Sequence, residues 1–114
     1  MITVISKKNK IAAEIVCDVK NLKNSELKKI KFALNNFGMI YFRNQNLSSN
    51  NYLKFAKKLG IPADYPRLKG LSSKYNKITV VERKAADKGP SFGEQFHTDS
   101  IYTTTPPRFT MLLS

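Results

Sequence analysis

The chain has 114 residues, 41% of them hydrophobic and 11% aromatic and spread from end to end, which suffices for one modest core and argues against disorder. Its net charge of +12 rests on sixteen lysines and four arginines; the lysines are scattered, with no basic stripe interleaved with aromatics, so no nucleic-acid partner is expected. The single cysteine, Cys17, excludes a disulfide framework and a cysteine zinc cluster. The absence of a signal-peptide core or a run of roughly 20 apolar residues predicts a soluble cytoplasmic protein without membrane contact.

In chain order, residues 2–5 and 11–19 read as two strands joined by the polar turn KKNK, with Ile11, Ala13, Ile15 and Cys17 on one side of the second. Cys17, set in IAAEIVCDV, reads as a small buried hydrophobe. Asn24 or Ser25 can cap a helix with Glu26 in its first turn and Leu27, Ile30, Leu34 and Phe37 at helical spacing, stopped by Gly38. MIYFRN suits a buried strand. Ser48 or Ser49 then caps a second helix whose Tyr52, Phe55, Ala56 and Leu59 fall at i, i+3, i+4 and i+7, before Gly60-Ile61-Pro62 ends it.

ADYPRLKGLSSKYN reads as a loop, KITVVERK as a strand, and AADKGPSFG as another loop. Strands are expected again over QFHTDSIY and RFTMLLS, on either side of Thr-Thr-Thr-Pro-Pro. The last of these stops without a turn signal, charged gatekeeper or cap. That predicts a single but incomplete domain over residues 1–114, with an exposed edge through which copies of the chain can associate as a homo-oligomer.

The chain's one histidine, His97, stands two residues before Asp99. On a strand the two side chains share a face, about 6.5 Å apart along the chain, and an imidazole nitrogen and a carboxylate oxygen on one face can take adjacent positions on a metal ion. Spacing alone favours a surface histidine beside a carboxylate. By the same parity Gln95 shares the histidine's side, a candidate for substrate or for a hydrogen bond behind the site, whereas Thr98 and Ser100 face away. Ser91 and Ser100 do not make a hydrolase triad, because the acid lies beside the imidazole and no G-x-S-x-G elbow occurs; glycine-rich nucleotide loops are also absent.

The wider string FGEQFHTDSIYTTTPPRFTMLLS resembles the first metal-binding segment of the Fe(II)- and 2-oxoglutarate-dependent dioxygenases of the taurine dioxygenase family. There an aromatic residue, His-Thr-Asp, a short strand, a double proline and an apolar strand follow in that order. Upstream, FGMIYFRNQNLS and a helix ending in FAKKLG resemble the family's aromatic-Gly strand and the helix after it. The likeness runs from about residue 12 to residue 114.

This resemblance implies an α+β chain with a mostly β core, the N-terminal part of a double-stranded β-helix (a clavaminate synthase-like jelly-roll) with flanking helices. It implies that His97 and Asp99 are two of the three protein ligands of Fe(II). The third ligand, a histidine, and the arginine that binds 2-oxoglutarate are expected beyond Ser114, since Arg43, Arg67, Arg83 and Arg108 lie in segments that do not correspond to the family's C-terminal part. Phe96 takes the place of an aromatic residue that packs away from the iron, and Tyr102 lies near the mouth of the site, where it is a candidate substrate contact. The implied activity is hydroxylation of a small organic acid, such as a sulfonate, with O2 and 2-oxoglutarate as cosubstrates and succinate and CO2 released. The 114 residues alone are expected to be inactive. The alternatives are a non-catalytic scaffold of the same fold and a small basic nucleic-acid-binding module.

Overall fold

The structure is a computed structural model that describes residues 1–6 and 11–114. The chain divides into two units, Met1–Ile61 and Pro62–Ser114. In the first, β1 (Thr3–Ile5) pairs antiparallel with β2 (Ala13–Val16), Val4 opposite Ile15, and β2 pairs in parallel with β3 (Ile40–Tyr41), Ala13 opposite Ile40. The expected turn KKNK lies outside the described residues. Strand β2 is shorter than the expected 11–19 for local reasons. Ala12 departs from extended backbone at φ 123°, and the Asp18 carboxylate accepts the Lys20 N–H at 2.9 Å to start a 3-10 turn over Val19–Asn21. Of MIYFRN only Ile40 and Tyr41 pair.

Helix α1 (Asn24–Phe37) crosses from β2 to β3, as a parallel pair requires. The residue before it is Lys23 rather than the expected Asn24 or Ser25. The Glu26 carboxylate reaches back to the Lys23 N–H at 3.0 Å, so the helix start is satisfied from its first turn and needs no hydroxyl cap. Gly38 ends it at φ 68°, a left-handed conformation that glycine adopts without a Cβ penalty, while its N–H bonds the Leu34 carbonyl. Helix α2 (Ser49–Leu59) begins as expected, with Ser48 Oγ accepting the Asn51 N–H at 3.2 Å.

The core lies between these elements. Ala13 and Ile15 of β2, Val19, Ile30 and Ala33 of α1, and Phe55 of α2 are buried, with the Phe42 ring edge-on to Phe55 at 5.5 Å. Complete burial of Ile30 contributes about 1.5–3 kcal/mol. Of the expected helix faces only Ile30 and Phe55 are fully enclosed; Leu27, Leu34, Phe37, Tyr52, Ala56 and Leu59 are half-buried. Cys17 is also half-buried, and burial, then the charges of Glu26 and Asp18, pushes its thiol pKa up, as suits an unreactive packing residue.

Gln45 ties this unit together. Its Oε1 accepts the Val19 N–H at 3.2 Å, and its Nε2 donates to the Cys17 carbonyl at 2.9 Å and the Arg43 carbonyl at 2.8 Å. One side chain thereby satisfies three backbone groups from segments more than 20 residues apart in sequence.

The second unit departs from expectation. No strand forms over KITVVERK, QFHTDSIY or RFTMLLS; a single antiparallel bridge joins Gly70 to Thr79. Strand preference expresses cross-strand packing more than backbone bias, and among the described residues these segments have no ladder partner. Val80, Val81, Ile101 and Leu112 are all exposed, so the alternation in the sequence has no core to face. The unit is held by turns and side-chain ties, and Ser100 is its one buried residue. The described residues are thus an α+β arrangement whose core is helix on sheet, not mostly β. None of their helices is long and apolar enough to cross a membrane.

Candidate metal site

The path to His97 is braced from behind. Arg83 donates to Ser91 Oγ at 2.5 Å and to the Gly89 carbonyl at 2.9 Å, closing the loop between them. Ser91 and Glu94 then bond reciprocally, the Ser91 N–H to the Glu94 carboxylate at 2.6 Å and the Glu94 N–H to the Ser91 carbonyl at 3.2 Å. Gly93 sits within that turn at φ 73°, and a Cβ there would stand 3.3 Å from His97 Cε1. A bare glycine backbone lets the imidazole lie against the turn.

His97 and Asp99 are not on a strand, so the expected reason for their shared face does not hold. They meet within an irregular stretch, two residues apart. The chain reverses after Asp99, with Ser100 at φ 54° and its carbonyl accepting both the Thr103 N–H at 3.0 Å and the Thr103 hydroxyl at 2.7 Å. Ahead of that reversal, His97 Nε2 lies 3.1 Å from Asp99 Oδ1, both side chains being about half exposed. His97 Nδ1 donates to the Gln95 carbonyl at 2.6 Å, since a carbonyl can only accept. That fixes the neutral tautomer and leaves Nε2 with its lone pair. A ring protonated at Nε2 as well donates from there to Asp99, and the ring's pKa is raised, first by the Gln95 carbonyl and then by the Asp99 charge.

The remaining expected residues are placed differently from their strand assignments. Gln95 contributes its main-chain carbonyl to the histidine. Phe96 is fully exposed, not in packing, because the chain there has no second layer to cover it. Tyr102 is half exposed; the Arg67 guanidinium lies 4.4 Å over its ring, and its hydroxyl is bonded to Tyr65, whose own ring is edge-on to Phe92 at 6.3 Å. Loss of solvent and the bond to Tyr102 push the Tyr65 pKa up, and the Asp99 charge acts in the same direction.

Two contacts were hidden from the sequence reading. The Thr110 hydroxyl donates to Asp99 Oδ2, the oxygen His97 does not use, and Gly93 underlies the imidazole. A lone hydroxyl inside the apolar run FTMLL and a glycine four residues before the histidine were the available signals.

The donor chemistry fits a divalent ion of intermediate softness, which accepts one imidazole nitrogen and one carboxylate oxygen. Two such donors bound near 2.1 Å at adjacent octahedral positions stand about 3 Å apart, as Nε2 and Oδ1 do here. Among the described residues no group of three or more His, Cys, Asp or Glu side chains comes together.

An α+β chain presenting a paired His and Asp on a braced turn is the class these features define. Over residues 6–114 the chain matches the taurine catabolism dioxygenase TauD, TfdA family, and it belongs to that family. Its fold is similar to the crystal structure of a candidate alpha-ketoglutarate-dependent taurine dioxygenase from Burkholderia xenovorans, at a TM-score of 0.58 and 24% identity. The match covers 67% of this chain and 28% of that one, so the chain spans well under a third of that structure.

Proposed function

We propose that these residues are part of an Fe(II)- and 2-oxoglutarate-dependent dioxygenase that hydroxylates a small organic acid, a taurine-like sulfonate or a relative, with release of succinate and CO2. In the whole protein the architecture is a double-stranded β-helix, with the iron held between its sheets by His97 Nε2, Asp99 Oδ1 and a third ligand outside the set described. Bound Fe(II) supplies one centre at which 2-oxoglutarate and O2 meet and electrons pass between them. The chain's own residues orient that centre: the Gln95 carbonyl holds the imidazole tautomer, Gly93 gives the ring its seat, and the Arg83 clamp fixes the turn beneath. Tyr102, three residues after Asp99, is the candidate wall for substrate.

The observation that carries this reading is the 3.1 Å approach of a tautomer-fixed Nε2 to Asp99 Oδ1, in a chain that belongs to a dioxygenase family. In the full-length protein, His97→Ala and Asp99→Ala are expected to lose Fe(II) binding and 2-oxoglutarate-dependent succinate formation while remaining folded by circular dichroism. Unchanged succinate formation in both would remove the iron assignment.

A further inference from the structure

Asp99 uses its two oxygens for different purposes. Oδ1 faces His97 Nε2, and Oδ2 accepts a hydrogen bond from the Thr110 hydroxyl, 11 residues further along and beyond Pro106 and Pro107. We propose that Thr110 is a positioning residue that holds Oδ2 of Asp99 away from the metal, so that the carboxylate binds through Oδ1 alone. The inference rests on the iron reading above and adds a residue to it.

A carboxylate is free to bind a cation through one oxygen or two. With Oδ2 unrestrained, rotation about the Cβ–Cγ bond brings it toward the ion, where it occupies a position that a chelating cosubstrate needs. The facial arrangement of two histidines and one carboxylate serves oxygen chemistry because three positions stay open. A hydroxyl donating to Oδ2 opposes that rotation and orients the oxygen lone pairs. A threonine hydroxyl has one hydrogen to donate, and Asp99 Oδ2 accepts it. The two prolines between the partners fix φ near −65° at each and reduce the freedom of the linking segment, which favours a bond across such a span. Partners of this kind change metal affinity by about ten- to a hundredfold when removed.

The test uses Co(II) as a spectroscopic substitute for Fe(II) in the full-length protein, with Thr110→Val as a variant of equal shape lacking the donor and Thr110→Ser as the conservative variant. Thr110→Val is expected to weaken Co(II) binding about ten- to a hundredfold. It is also expected to weaken 2-oxoglutarate binding to the Co(II) form and to alter the visible d–d bands that report coordination number, with Thr110→Ser restoring all three. Asp99→Ala is measured beside them. If Asp99→Ala abolishes Co(II) binding while Thr110→Val leaves affinity and spectrum unchanged, Thr110 has no such part and the iron reading stands. If neither variant changes Co(II) binding, both the inference and the iron reading fall. If Thr110→Val and Thr110→Ser lose affinity equally and in step with melting temperature, the side chain is merely structural and the inference is overturned.

Discussion

His97 Nδ1 lies 2.6 Å from the Gln95 carbonyl oxygen, and Nε2 lies 3.1 Å from Asp99 Oδ1, so a protonated ring is satisfied on both sides in the metal-free chain. Both contacts favour the imidazolium and raise the pKa above the ordinary 6.5. A group whose pKa rises on folding contributes stability that is fully present below about 6.5 and is lost as pH climbs through the folded value. Because His97 is the only histidine of the 114 residues, its ring protons give one titration curve in an NMR experiment on the metal-free chain. That curve is expected to lie above 6.5, and Asp99→Ala to lower it only in part, since the Gln95 carbonyl is the larger cause. A midpoint at or below 6.5 in the unsubstituted chain would show that neither contact persists in solution. The sequence made the pair visible, but not the backbone that holds it: strand parity predicts a shared face, whereas the two side chains meet from an irregular stretch. Thr110 was illegible because nothing local in FTMLL says which carboxylate its hydroxyl will reach.

Helices α1 and α2 were legible almost to the residue, because a helix satisfies its own backbone and announces itself through local spacing, a first-turn Glu26, a Ser48 cap and a Gly38 stop. Strands satisfy theirs through a partner. Thr3–Ile5 and Ala13–Val16 find one in each other and form, while KITVVERK, QFHTDSIY and RFTMLLS have the composition without the partner and stay irregular among the described residues. What joins the elements of the first unit is equally non-local. Gln45 lies in a stretch with no periodicity, yet it bonds Val19, Cys17 and Arg43, and its substitution strands a partly buried N–H and two carbonyls. Gln45→Ala is expected to cost about 1–3 kcal/mol, measured as a shift in the urea midpoint with an unchanged slope. Gln45→Glu keeps the acceptor for Val19 but loses the donor to both carbonyls, and it should also destabilise. An unchanged midpoint in Gln45→Ala would mean that water replaces all three bonds at no cost.

At the scale of the whole molecule, hydrophobic burial and candidate chemistry are separated along the chain. Among the described residues, all six buried apolar side chains lie within Met1–Ile61, and His97, Asp99 and Thr110 lie within Pro62–Ser114, which is held by hydrogen bonds and turns. Segments with few buried apolar contacts open at low free energy, so side chains displayed there are less preorganised than those set on a packed core. The donor count points the same way, since His97 and Asp99 come together and no set of three His, Cys, Asp or Glu side chains does among the described residues. On the iron reading proposed above, a pair without its third ligand lacks a chelate ring as well as a bond, and must compete with a proton on His97. The 114 residues by themselves are therefore expected to bind Fe(II) only weakly and to form no succinate. Affinity should fall further as pH drops through the His97 pKa, because the metal and the proton claim the same nitrogen. Anaerobic Fe(II) titration with 2-oxoglutarate at two pH values, one on each side of that pKa, measures this. A tight one-to-one complex whose affinity ignores pH would show that the metal is held by donors other than His97, and would move the site away from the pair.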